Sequence, residues 1–124
     1  MDAQIINNQR SFLKKILYLE PYSDRKAKQL SGGNKRKLCS AMALMFTPDL
    51  IMMDEASNGV DPLSRKNLYA YLRMLENTST LMITHRIDEA EKICDKIAIM
   101  ANGKILDVGS SNFLKEKYGK VFFF

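Results

Sequence analysis

One segment narrows the fold more than any other. Leu50-Ile51-Met52-Met53 is a run of four apolar residues that ends directly in Asp54-Glu55. A strand that is apolar at every position suits burial on both faces, as in a parallel α/β sheet. Two adjacent carboxylates at its C-terminal edge are costly unless they are solvated or engaged with a cation. In open α/β sheets that edge is also where ligands bind. Asp54 is therefore a candidate for holding Mg2+, directly or through water, and Glu55 for taking a proton from an attacking water. An acidic pair after a strand also occurs without any such role.

The flanking pattern agrees with α/β order. Phe12, Leu13, Ile16 and Leu17 recur at helical spacing between Gln9 and Glu20, and Pro21 is expected to end that helix. Lys35 to Phe46 reads as a helix with Leu38, Ala41, Met42 and Met45 on one face, broken at Thr47-Pro48-Asp49. Asp61 reads as an N-cap, with Pro62 at the first helical position of a helix reaching Asn77. Thr80-Leu81-Met82-Ile83 reads as a second buried strand that runs into Thr84-His85, and Asp88 to Cys94 as a short helix with Ala90 and Ile93 inward. Lys96–Met100 and Lys104–Val108 flank Asn102-Gly103, which predicts a hairpin with a type I′ turn. Ser111 to Tyr118 reads as a last helix with Gly119 as its C-cap.

Composition narrows the class without naming a function. The chain has 124 residues, enough for one domain, and 46% are apolar, which argues against wholesale disorder. No apolar run approaches the roughly 20 residues a membrane-spanning helix needs, and the N-terminus shows no signal-peptide pattern. The net charge is +5, and the excess lies in residues 1–46, where nine basic residues face three acidic ones. Arg25, Lys26, Lys28 and Lys35-Arg36-Lys37 form its centre. This segment reads either as a phosphate-facing surface or as a solvated face. Around that centre, between residues 22 and 37, the sole aromatic is Tyr22, which argues against a nucleic-acid partner. Cys39 and Cys94 have no metal-binding spacing and read as buried small apolar residues in a reducing compartment.

Two further features sit where the chain leaves regular structure. Ser31-Gly32-Gly33 precedes a helix, so that glycine-freed backbone N–H groups, the helix N-terminus and the Ser31 hydroxyl could meet a phosphate. A Ser-Gly-Gly stretch is also often only a turn. His85, the single histidine, follows the second buried strand, a placement that suggests contact with the same ligand as Asp54-Glu55.

The order and spacing of these features resemble the nucleotide-binding domain of ATP-binding cassette (ABC) proteins. Leu30-Ser31-Gly32-Gly33-Asn34 is similar to the family's LSGGQ signature, and Leu50 to Glu55 to its Walker B strand. Ser57-Asn58-Gly59-Val60-Asp61-Pro62 resembles the D-loop, and Ile83-Thr84-His85 the switch-histidine loop. The resemblance spans roughly residues 9–119. LSGGNKRKL and the segment from Val108 to Gly119 are similar to the A subfamily, which mostly moves lipids.

The resemblance implies a fold and roles. The fold is α/β, the C-terminal half of a P-loop NTPase core together with the end of its helical subdomain. Residues 1–46 would hold the signature and its helix, 47–119 the Walker B, D-loop and switch-histidine segments, and 120–124 a tail without a reading. Asp54 would hold Mg2+, Glu55 would act as general base, and His85 would contact the γ-phosphate. Ser31, Gly32, Gly33 and Asn34 would face the ATP held by a second nucleotide-binding domain, with Asp61 at the interface between the two. Cofactors and partners follow: ATP, Mg2+, the second domain and the transmembrane domains of a transporter, at the cytoplasmic face of a membrane. Two positions depart from the family pattern: Ala56 stands where Pro is usual, and Asn34 replaces Gln.

No G-x-x-x-x-G-K-[ST] occurs in the 124 residues. Such a loop supplies the backbone cradle and the Lys that hold the β- and γ-phosphates. The chain is thus expected to be a fragment lacking the P-loop strand, which in this family lies between the strands read here at residues 80–84 and 96–100. It is expected to fold poorly and to be inactive by itself, although the family is one of ATP hydrolases. Other readings are a soluble ABC ATPase outside transport, or a non-enzymatic partner that supplies Ser31-Gly32-Gly33 in trans.

Overall fold

The computed structural model describes residues 2–119. The chain divides into two compact units at the Ile83–Thr84 junction.

In the first unit, helix α1 (Ala3–Ile16) starts from Asp2, whose carboxylate accepts the Gln4 N–H at 3.0 Å. It begins earlier than the apolar pattern predicts because its first turns are solvated, with Ile5 exposed, and leave no apolar periodicity. It also ends earlier. Tyr18 adopts a left-handed φ of 53°. Its N–H donates to the Lys15 carbonyl at 3.2 Å, and that of Leu19 to Lys14 at 2.8 Å. This paired closure, and not Pro21, terminates the helix. Pro21 lies in a following 3-10 turn, Glu20–Tyr22.

Helix α2 (Gly32–Leu44) follows, then strand β1 (Leu50–Asp54), helix α3 (Pro62–Met74) and strand β2 (Ser79–Ile83). The two strands pair in parallel, with Met52 opposite Leu81 and Asp54 opposite Ile83. A parallel pair needs a crossover, and α3 supplies it. The core gathers Leu13, Leu17 and Leu19 against Ala41 and Leu44 of α2, Ile51 and Met53 of β1, and Leu68 and Leu72 of α3. Phe12 stays partly exposed but meets the Tyr71 ring with centroids 5.3 Å apart.

The structure departs from three expectations. The strands are not buried on both faces. β1 alternates, with Ile51 and Met53 inside while Met52 is 72% exposed, and Leu50, Leu81 and Ile83 share its outer face. Among the described residues only one face of this sheet is packed, which is why the continuous apolar run does not become a fully buried strand. On α2 the buried stripe is Lys37, Ala41 and Leu44, and Met42 is exposed. Lys37 turns inward to an acidic partner and sets the rotation of the helix. Cys39, two residues on from Lys37, is consequently exposed rather than buried.

In the second unit, helix α4 (Ile87–Ile93) buries Glu89 and leaves Ala90 and Ile93 half-buried. Arg86 Nε lies 2.8 Å from Glu89 Oε1. Strands β3 (Ile97–Ala101) and β4 (Lys104–Gly109) form the expected antiparallel hairpin. Asn102 and Gly103 have φ of 49° and 72°, the two left-handed residues a type I′ turn requires. Helix α5 (Ser111–Tyr118) closes on Gly119, as predicted, and Ser110 caps its start. Asp107 ties β4 to it, accepting from Lys117 Nζ and Tyr118 Oη, each at 2.7 Å. Residues 120–124, read as a tail, lie outside the described residues.

Candidate functional site

The site begins at the N-terminus of α2. Ser31 is its N-cap, and its Oγ accepts the Asn34 N–H at 3.3 Å. The hydroxyl proton stays available to a further acceptor, because a hydroxyl both accepts and donates. The helix starts at Gly32 rather than Lys35, so both glycines occupy its first turn. Backbone N–H groups in a first turn have no intrahelical acceptor, and the helix dipole adds positive potential there. Ser31 and Gly32 are exposed, while Gly33 and Asn34 are half-buried.

The two glycines have different reasons to be glycine. A Cβ on Gly32 would meet nothing within 4 Å. A Cβ on Gly33 would collide with the backbone carbonyl of Gly59. The start of α2 therefore lies directly on the loop that follows β1.

That loop, residues 55–61, is tied to α2 by two adjacent basic side chains. Arg36 Nη1 donates to the carbonyls of Glu55 at 3.2 Å and Asn58 at 2.7 Å. Lys37, 6% exposed, places Nζ 3.2 Å from Asp61 Oδ2 and 3.4 Å from Ser64 Oγ. Ser64 Oγ in turn donates to the Leu17 carbonyl at 3.2 Å, joining the end of α1 to the same network. Asp61 caps α3 as predicted, with Pro62 next and its Oδ1 accepting the Ser64 N–H at 2.8 Å. Partial burial pushes the Asp61 carboxyl up, but the Ser64 N–H and hydroxyl and the Lys37 ammonium outweigh it and hold the group at about 2.

Glu55 follows the last residue of β1. Its N–H donates to the Ile83 carbonyl at 3.0 Å, one position past the strand register. Its φ is 47°, in the left-handed region, which costs a non-glycine residue about 1–3 kcal/mol. Arg36 holds its carbonyl, the Asn58 N–H donates to the same carbonyl at 3.1 Å, and Asn58 Nδ2 donates to Glu55 Oε2 at 3.1 Å. Asp54 is exposed at the strand end.

The first unit thus brings the Ser31–Asn34 turn, Asp54-Glu55 and Asp61 into one connected arrangement. His85 belongs to the second unit, exposed in the turn between β2 and α4. Arg36, Lys37 and Asn58 escaped the reading of the sequence as site residues. The first two were part of the basic cluster read as phosphate-facing or solvated, but Arg36 spans two loop carbonyls and Lys37 is buried. Among the described residues no group of three or more His, Cys, Asp or Glu could hold a metal ion without further ligands. Mg2+ is commonly bound by one or two carboxylates plus substrate phosphates, and the exposed carboxylate of Asp54 at the strand end has the donor chemistry that suits that ion.

The architecture is that of part of an ABC-type ATPase domain. It superposes on the ATP-binding subunit of an ABC transporter with a TM-score of 0.86 at 24% identity, covering 96% of this chain and 50% of that one. The chain is homologous to A-subfamily ABC transporters over most of its length. It is 41% identical over 102 residues to ABC transporter A family member 11 of Dictyostelium discoideum, covering 82% of this chain. It is 34% identical over 116 residues, 91% of its length, to the cholesterol transporter ABCA5 of Rattus norvegicus. The chain spans 12% and 7% of the length of these two relatives. No protein-family model matches it. Among the described residues no helix is long and apolar enough to cross a membrane.

Proposed function

We propose that the chain supplies the C-terminal half of an ATP-hydrolysing domain that powers an A-subfamily transporter. Glu55 is the general base for the attacking water. Ser31, Gly32, Gly33 and Asn34 face the γ-phosphate of ATP bound to a second nucleotide-binding domain, with Asp61 at that interface. His85 contacts the γ-phosphate from its own side. Asp54 would hold Mg2+, which neutralises charge on the phosphates when bound. The transmembrane domains of the transporter are the mechanical partners, at the cytoplasmic face of the membrane. Lipid is the proposed cargo, since one relative is named a cholesterol transporter.

The observation that carries this reading is the contact of Gly33 with Gly59, reinforced by Lys37–Asp61. It fixes the phosphate-facing turn and the loop of the base as one body. Phosphoryl transfer depends mainly on positioning and charge stabilisation, so such rigidity serves the chemistry. The P-loop cradle is absent from these 124 residues and must come from a complementary half. The test is to assemble the chain with a P-loop-bearing half domain from a relative and compare wild type with Glu55→Gln. Binding of ATP should persist in the variant, while hydrolysis falls roughly 10²–10⁴-fold. Equal hydrolysis by both assemblies refutes the role of Glu55.

A further inference from the structure

We infer that Asn58 and Arg36 are positioning residues that hold Glu55 in its working geometry before nucleotide arrives. The inference rests on the reading of Glu55 as general base. Glu55 sits in a backbone conformation that is unfavourable for a residue with a Cβ. Such a conformation persists only where its surroundings over-determine it. Here three contacts do so from two elements. Arg36, from α2, spans the Glu55 and Asn58 carbonyls and closes the turn from outside. The Asn58 N–H closes it from inside. The Asn58 side-chain amide then fixes the carboxylate itself through Oε2.

An amide suits this task. It donates to a carboxylate without giving up its proton, and it adds no charge. Oε2 carries the Asn58 bond, and the carboxylate retains lone pairs with which to accept a proton from water. A guanidinium reaching two carbonyls has a geometry that a lysine ammonium on a flexible stem cannot reproduce. Neither Asn58 nor Arg36 is assigned any contact with nucleotide. Both act through Glu55.

Two measurements test this. In the full chain, NMR hydrogen exchange of the Asn58 side-chain amide should be slow relative to the exposed Asn112 amide, and should speed up in Glu55→Ala. Equal exchange in wild type and Glu55→Ala overturns the contact. In the assembly with the P-loop half, Asn58→Ala and Asn58→Asp should each lower kcat roughly 10- to 100-fold with the KM for ATP unchanged. Asn58→Ser, which retains a donor, should recover part of that loss, and Arg36→Lys should behave like Asn58→Ala. A change confined to KM, or no change, overturns the positioning role. If the wild-type assembly does not turn over ATP, the reading of Glu55 as base fails and the positioning role falls with it, while the exchange experiment still decides whether the contact exists.

Discussion

Lys37 Nζ lies 3.2 Å from Asp61 Oδ2, an ion pair that is buried at one end and open at the other. It joins the helix that begins at Gly32 to the cap of the helix that begins at Pro62. Its asymmetry sets the size of its effect. Removing the lysine leaves an aspartate that water still reaches, so Lys37→Met should cost about 1–2 kcal/mol rather than the 3–5 kcal/mol of a fully buried pair. The shift of the urea unfolding midpoint measures it. No shift in Lys37→Met would show that the pair adds nothing to the fold.

The same pair has a pH signature. The folded-state pKa of Asp61, about 2, lies below its ordinary value of 3.8. A depressed carboxyl contributes stability that is complete above the ordinary value and is lost as pH falls through the folded one. Stability should therefore drop as pH is lowered from about 4 toward 2. Asp61→Asn keeps a side chain able to cap the helix but removes the titration, so it should flatten that part of the curve. Urea midpoints at a series of acidic pH values decide it, and parallel curves for the two proteins would contradict the assignment.

The two glycines should part company on substitution. Gly33→Ala forces a methyl group against the Gly59 carbonyl, a backbone atom that cannot swing aside, and should destabilise by about 1–3 kcal/mol. Gly32→Ala meets open space within a helix and should be neutral or stabilising by up to about 1 kcal/mol. Thermal unfolding of both variants tests the contrast. If Gly32 faces a phosphate as proposed, Gly32→Ala should still impair hydrolysis in the assembled domain while leaving the fold intact.

Much of this was legible because local chemistry dictates it. Asn102-Gly103 permits the two left-handed residues of a type I′ turn, and Asp61-Pro62 places a helix start where capping physics puts it. The order of glycine turn, acidic strand end and capped loop was legible for the same reason. What could not be read depends on neighbours distant in sequence. Nothing local says that Lys37 will be buried, because its acceptor is 24 residues away. Nothing local separates Met52, outside, from Met53, inside, since both are equally apolar. Arg36 reads as a surface cation until the Glu55–Asn58 turn is placed beside it.

That outer sheet face carries a prediction of its own. Leu50, Met52, Leu81 and Ile83 are all more than half exposed on one face of the β1–β2 pair. Contiguous apolar surface of this kind drives self-association. Replacing the cross-strand pair, Met52→Glu with Leu81→Lys, should lower light scattering of the chain at a given concentration without changing its far-UV circular dichroism. Unchanged scattering would place the association elsewhere.

An ATPase titration tests whether this chain completes a hydrolysing site. The pure chain is assayed first, and a P-loop-bearing half domain from a relative is then added in increasing amounts. The pure chain should show no turnover, and turnover should rise with added half domain to a stoichiometric plateau and fall roughly 10²–10⁴-fold with Glu55→Gln. Steady turnover by the pure chain, or turnover in the mixture that ignores Glu55, would contradict this.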